Sequence, residues 1–381
     1  MKLQNIPLII FISLLILTES IEDITYKSGL RKEDFEREID GKKTQLFVLT
    51  NKNGIEISLT NYGGALCALM VPDKNGKFEN IVQTHDSIDH IINSPNPYLS
   101  SLIGRYGNRI KDGKFILDGK EYKLKRNDGY NHLHGGPTGF HSRVWDAEQI
   151  NDHELKLKYV SEDMEEGYPG KLTMEVTFSL NDKNEFKISY RGKTDKKTIV
   201  NMTYHMYVNL LGITDPCPGI ENHILTLNAN NYLPTDYTQI PTGEVTSVEV
   251  GPFNFLKPRA IGEGLKYVDN PQITIGRGFD HCFCLNKKYY GELSYVGKLF
   301  EPNTKRYMEM YTTEPGVLIY TANFHSGFKG YHGARLVRRS GVAFEMQHFP
   351  NSPNIGFFPS VVLKPGDTYV QDTIYKFGIE K

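Results

Sequence analysis

Past its first twenty residues this chain repeats an apolar alternation of period two, and it nowhere sustains a helical period. Successive side chains of a strand point to opposite faces, so such a chain buries its apolar residues by pairing strands, and the fold class is all-β. The alternation is strict in Ile55-Glu56-Ile57-Ser58-Leu59-Thr60, which forms a hairpin with Leu46 to Thr50 across Asn51-Lys52-Asn53-Gly54. A second hairpin joins Phe115-Ile116-Leu117 to Glu121-Tyr122-Lys123-Leu124 through Asp118-Gly119, a pair suited to positive φ in a two-residue turn. Further strands are expected at Glu154 to Val160, Leu172 to Leu180, Glu185 to Tyr190, His223 to Leu227 and Tyr307 to Thr312. Between them lie Gly- and Pro-punctuated loops, with no biased linker, internal repeat or low-complexity tract. One large antiparallel β-sandwich domain over residues 21–381 fits this pattern.

The start of the chain reads differently. Lys2 precedes a run from Ile6 to Leu17 that is apolar apart from Pro7 and Ser13, too short for a membrane span of ~20 residues but suited to a signal peptide. Thr18 and Ser20 are small residues ahead of a cut before Ile21, so residues 1–20 are expected to be removed and the mature protein to be secreted, with no membrane association afterwards. With 44 Lys+Arg against 45 Asp+Glu and a net charge of −1, the chain lacks the basic excess of a nucleic-acid binder. Four cysteines are too few for a disulfide scaffold in 381 residues. His281-Cys282-Phe283-Cys284 invites a zinc reading but lacks CxxC spacing and a fourth ligand, which favours buried or disulfide-linked thiols. His132 and His134 form a metal pair equally without support.

Nucleotide and nucleophile motifs are absent: no GxGxxG after a strand, no phosphate-cradling GxxxxGK[ST], no HExxH and no GxSxG. What remains is a set of ionisable residues in short strings. Gly104-Arg105-Tyr106-Gly107-Asn108-Arg109-Ile110 offers the planar donor fork of Arg109 and the mixed donor and acceptor of Asn108, groups that suit a sugar. His134 follows 25 residues after Arg109 and precedes Gly135-Gly136, where the backbone could turn sharply. His205 sits in the apolar, aromatic Asn201-Met202-Thr203-Tyr204-His205-Met206-Tyr207-Val208-Asn209-Leu210. Asn201 opens an N-x-T sequon there, expected to be silent if His205 lines a pocket. Asp280 precedes an apolar strand, and Glu345 follows the hydrophobic Val342-Ala343-Phe344. Each alone has a plain structural reading; for Glu345, alternation by itself favours the solvent face.

Taken together and in order, the strings GRYGNRI, NHLHGG with GFHSRVW, NMTYHMYVNL, GFDHCFCL, TTEPGVLIYTANF, GVAFEMQHFP and FPSVVLKPGDTY closely resemble the aldose 1-epimerase, or galactose mutarotase, family over residues 45 to 377. The resemblance implies a supersandwich of the galactose-mutarotase type that interconverts the α and β anomers of free hexoses such as galactose and glucose. It implies Glu345 as catalytic base and His205 as catalytic acid, brought by the fold to opposite sides of one sugar, and Arg109, Asn108, His134 and Asp280 as substrate-binding residues. Ring opening and reclosure need no redox change, so no cofactor and no metal are implied. The partner is a small-molecule aldohexose, and the expected state is a monomer or weak dimer. Three positions depart from the family. Tyr204 stands where Asn is common and Val208 where Phe is, which would alter the pocket wall. Leu318 stands where relatives often carry a sugar-contacting Gln. A sugar-phosphate mutarotase and a secreted carbohydrate-binding protein without turnover are the alternatives.

Overall fold

A computed structural model of the chain describes residues 26–381, so the expected signal peptide at residues 1–20 lies outside the described residues. Both hairpins form: Leu46–Thr50 pairs with Glu56–Thr60, and Lys114–Leu117 with Lys120–Lys123. Asp118 and Gly119 take φ of 51° and 76°, the left-handed geometry that the two-residue turn demands. Three antiparallel sheets carry most of the strands. The largest runs in the order 146–151, 154–161, 172–180, 185–194, 369–379, 306–312, 294–300, 224–227 and 259–260. A four-stranded sheet takes residues 46–50, 56–60, 66–72 and 78–80.

In the large sheet the sequence alternation becomes burial. Leu172, Met174, Val176, Phe178 and Leu180 point inward from one strand and Phe186, Ile188 and Tyr190 from the next, while the intervening residues face outward. Each such side chain contributes roughly 1.5–3 kcal/mol by leaving water. They join one apolar cluster that extends from Leu49 to Phe377 and draws on all three sheets. α-Helix is confined, among the described residues, to Ile88–Ile92, Ile261–Leu265 and Pro271–Gly276, and no helix is long and apolar enough to cross a membrane.

The third sheet has six strands, and all but the two at one edge are buried on both faces. Its order is Tyr207–Val208, Val342–Gln347, Gly316–Tyr320, Asp280–Cys284, Asn231–Tyr232 and Thr246–Ser247. Val208, Phe344, Met346, Val317, Ile319 and Phe283 lie in the common core. The register Ala343↔Tyr320↔Asp280 and Glu345↔Leu318↔Cys282 puts these residues together on the opposite face, beneath a roof of loops. His281 therefore faces away from Cys282 and Cys284, so the three share no metal-binding face, and all four cysteines are free thiols, three of them buried, which is the buried-thiol alternative of the sequence reading rather than the disulfide-linked one. His132 is likewise committed elsewhere: its Nδ1 donates to the Lys125 carbonyl, and the Tyr168 hydroxyl donates to its Nε2.

Candidate active site

Register places the two ionisable residues of this face. Tyr207 pairs with Ala343 and Val208 with Val342; the same antiparallel register, carried two residues further, sets His205 opposite Glu345. His205 is held there because the chain leaves one pairing, Thr203–Tyr204 with Leu102–Ile103, to join another. Its N–H donates to the Ser101 carbonyl, and its own carbonyl accepts from Ser100. His205 Nε2 lies 3.4 Å from Glu345 Oε1, so the two groups stand side by side on the cleft floor rather than on opposite flanks. Glu345 is only 1% exposed. Alternation named its face correctly, opposite Phe344 and Met346, but loops cover that face, so the expectation of solvent exposure is corrected.

Arg109 is positioned from the other wall by the short pairing of Arg109–Ile110 with His132–Leu133. Its Nε donates to Asp128 at 2.7 Å, its Nη2 donates to Gln239 Oε1, and its Nη1 is 3.6 Å from Asp280 Oδ2. The same string's Arg105 is structural: its guanidinium donates to the carbonyls of Ser161, Glu162, Pro169 and Gly170. Asn108 and His134 share a reciprocal pair of bonds. The Asn108 N–H donates to His134 Nδ1, and the His134 N–H to the Asn108 carbonyl, both at 3.2 Å, with left-handed φ of 63° and 53°. Such conformations cost energy and persist where surrounding structure enforces them, often at functional sites. Gly135 makes the turn possible, since a Cβ on it would lie 1.9 Å from the Gly104 carbonyl oxygen.

These elements enclose a cleft of about 400 Å³ lined by all six residues singled out from the sequence: Asn108, Arg109, His134, His205, Asp280 and Glu345. Sequence reading missed Asp128, Gln239, Tyr320 and His325, which also line it. Tyr320 carried a signal, as the register partner of Asp280; the loop residues carried none. Tyr207 stacks on His205 with ring centroids 4.7 Å apart, and His134 meets it edge-on at 5.2 Å. Tyr204 and Val208 belong to the apolar core instead, which corrects the expectation that they alter the pocket wall; the Tyr204 hydroxyl donates to the Gly64 carbonyl. Leu318 packs with Leu233, Cys282 and Phe358. Asn201 is fully buried, its amide donating to the carbonyls of Gly107 and His348, a position no glycosylating enzyme can reach in the folded chain.

Burial dominates the electrostatics. It pushes the Glu345 carboxyl well above its ordinary range, helped by Asp280 and opposed by Arg109, and pushes the His205 imidazole down to about 3. Burial also raises Asp280, offset in part by Arg109, and lowers His134 strongly, with the neighbouring His205 and Arg109 adding to the effect. Burial opposes the Arg109 charge too, but Asp280 and Asp128 outweigh it and hold the guanidinium above its usual value.

His134, His205 and Glu345 offer ligand atoms within 4.8 Å of one another, a set that superficially suits zinc. The Asn108 N–H occupies the Nδ1 lone pair of His134, so the neutral ring carries its proton on Nε2 and presents a donor rather than a metal-binding lone pair to the cleft. The trio is arranged for hydrogen bonding and proton exchange.

The aldose 1-epimerase family profile matches residues 45–376. A galactose mutarotase of Bos taurus is 38% identical over 326 residues, covering 85% of this chain and 92% of that protein. An aldose 1-epimerase of Escherichia coli is 32% identical over 343 residues, covering 90% and 97%. Among solved structures, an aldose epimerase homologue from C. elegans superposes with a TM-score of 0.82 at 28% identity, covering 89% of this chain and 100% of that one. A galactose 1-epimerase from Lactobacillus acidophilus gives 0.79 at 26%, covering 92% and 98%.

Proposed function

This chain belongs to the aldose 1-epimerase family, and from that premise we propose that it interconverts the α and β anomers of free hexoses with Glu345 as base and His205 as acid. The observation that carries the reading is the adjacency of these two groups, 3.4 Å apart on the floor of one cleft. O1 and O5 of a pyranose share C1, so two neighbouring groups can address both oxygens at once. Glu345 removes the proton from the O1 hydroxyl, the C1–O1 bond becomes a carbonyl, the C1–O5 bond breaks, and His205 gives a proton to O5. Rotation about C1–C2 exposes the other aldehyde face. His205 then recovers the O5 proton, O5 attacks C1, and Glu345 returns its proton to O1.

The reaction needs one donor and one acceptor, and the pair holds that count. Burial works against the charged form of each, pushing the carboxyl up and the imidazole down, so the two are expected to share one exchangeable proton as a pair. Arg109 works to lower the carboxyl, and the hydroxyls of a bound sugar add polar surroundings, which together support moving the proton to His205. General acid–base assistance of this kind is worth typically ~10²–10⁴-fold. The Arg109 fork and the Nε2–H of His134 supply donors for sugar oxygens.

The cleft sets two carboxylates, Asp128 and Asp280, together with the acidic group of Glu345, around the guanidinium of Arg109, so that charge is already matched and none is left over for a phosphate group, and free sugars are favoured over sugar phosphates. Residues 1–20 support action outside the cell, as a monomer or weak dimer; N-terminal sequencing of the mature protein and light scattering test these points. The function itself is tested by polarimetry on freshly dissolved α-galactose, α-glucose and α-xylose. Glu345→Gln and His205→Asn are expected to fold and to lose nearly all catalysed mutarotation. Near-normal rates in both would refute the roles, and sugar binding without any rate acceleration in the unaltered protein would favour a binding protein.

A further inference from the structure

The turn after the Asn231–Tyr232 strand reaches the cleft from outside every string that carries the family resemblance. Asp236 rigidifies it: the carboxylate accepts from the N–H groups of Thr238 and Ile240, and the Asp236 carbonyl accepts from Gln239. The Thr238 carbonyl is tied to the Asn131 amide. Gln239, at a left-handed φ of 62°, extends from this turn into the cleft lining. Arg109 Nη2 can only donate, so the carboxamide must present its oxygen to the guanidinium, which fixes the orientation of its other end. That end, Nε2, is buried without a hydrogen-bond partner. It lies close enough to Asp280 to help hold that carboxylate down, but its geometry falls short of a full hydrogen bond, which leaves the N–H free to pair better elsewhere. An unpaired buried amide is costly, and the cost is removed by any acceptor that enters the space beside it. Leu318, on the same sheet face as Glu345, is packed among apolar side chains and has no polar atom to offer.

We propose that Gln239 is a substrate-binding residue, donating from Nε2 to a hydroxyl of the bound hexose at the Asp280 edge of the cleft. It thus supplies, from a loop, the carboxamide that Leu318 cannot. The inference rests on the reading of this cleft as the sugar site. Glu345 and His205 take the O1–O5 end of the ring, so the hydroxyl that Gln239 meets is one of the others, which makes the residue a selector among hexoses.

Polarimetry on Gln239→Met and Gln239→Asn tests this, with galactose and with each monodeoxygalactose in turn; Asn tolerates the left-handed backbone, and thermal unfolding checks both variants. The KM for galactose is expected to rise about three- to ten-fold, more than kcat falls. The penalty should vanish on the one deoxy sugar that lacks the contacted hydroxyl. An unchanged KM, or an equal penalty on galactose and every deoxy sugar, overturns the proposal; the second result assigns Gln239 only to the support of Arg109. An unaltered protein inactive on all sugars would instead refute the mutarotase reading itself.

Discussion

At Glu345 and His205 the titration of each group is set by burial, and a pH profile follows. The imidazole is driven down to about 3 and the carboxyl well above its ordinary value. Adding a second proton to the pair therefore requires strong acid, and removing its one proton requires ionising a buried carboxyl. Across the pH range where an ordinary histidine titrates near 6.5, the proton count of the pair is constant on its acid side, so kcat/KM should show no acid limb there. Initial-rate polarimetry corrected for buffer catalysis measures this; a limb at 6.5 would mean that His205 titrates as a solvated ring. Arg109 carries a different expectation. Arg109→Ala strands Asp128 and Asp280 without their cation and should cost about 3–5 kcal/mol of stability in urea unfolding, along with a raised KM. The six cleft residues were legible because residue type and string order point to them. Gln239 was not, because its role comes from a turn that meets Arg109 across 130 positions of sequence.

Elements were legible where one face meets the core and the other meets water. Leu172–Leu180 and Glu185–Thr194 are of this kind, and the expected ranges match apart from a longer end to the second strand. Leu66–Pro72 passed unmarked because it is buried on both faces and shows no alternation. Tyr369–Ile379 inverts the rule: Gln371 and Thr373 point inward, where they bond to the Met346 carbonyl and to Thr312, while Val370 is exposed and Ile374 half-buried. The two kinds of turn can be told apart by substitution. At Gly119 an added Cβ meets nothing within 4 Å, so Gly119→Ala pays only for its left-handed backbone, roughly 1–2 kcal/mol. Gly135→Ala carries the same backbone penalty and drives its Cβ into the Gly104 carbonyl, so the loop must move and take His134 with it. Urea unfolding and KM together test the contrast: Gly119→Ala should leave KM alone, and Gly135→Ala should change both.

Across the whole molecule, a near-neutral charge balance hides a strong acid lability. Of the twelve histidines, eight have their imidazoles depressed, in each case chiefly by burial: His85, His132, His141, His223 and His325 to about 4, His205 and His281 to about 3, and His134 well below its ordinary value. A histidine whose folded pKa lies below its unfolded 6.5 contributes nothing adverse above 6.5; as pH falls through that value the unfolded chain takes up a proton the folded one refuses, and stability is lost. Glu345 and Asp280, raised by burial, act in the opposite sense, but they are two against eight. Stability is therefore expected to fall steeply between pH 6.5 and about 4, with unfolding at about pH 5 absorbing several protons. The single tryptophan, Trp145, is fully buried and donates to the Phe140 carbonyl, so its fluorescence reports global unfolding. Because His205 titrates within the fold only near 3, the sandwich should open before the catalytic pair gains its second proton. Activity lost on acid incubation should then track Trp145 fluorescence, and loss of activity with the tryptophan signal still native would show that the pair, not the fold, sets the acid limit.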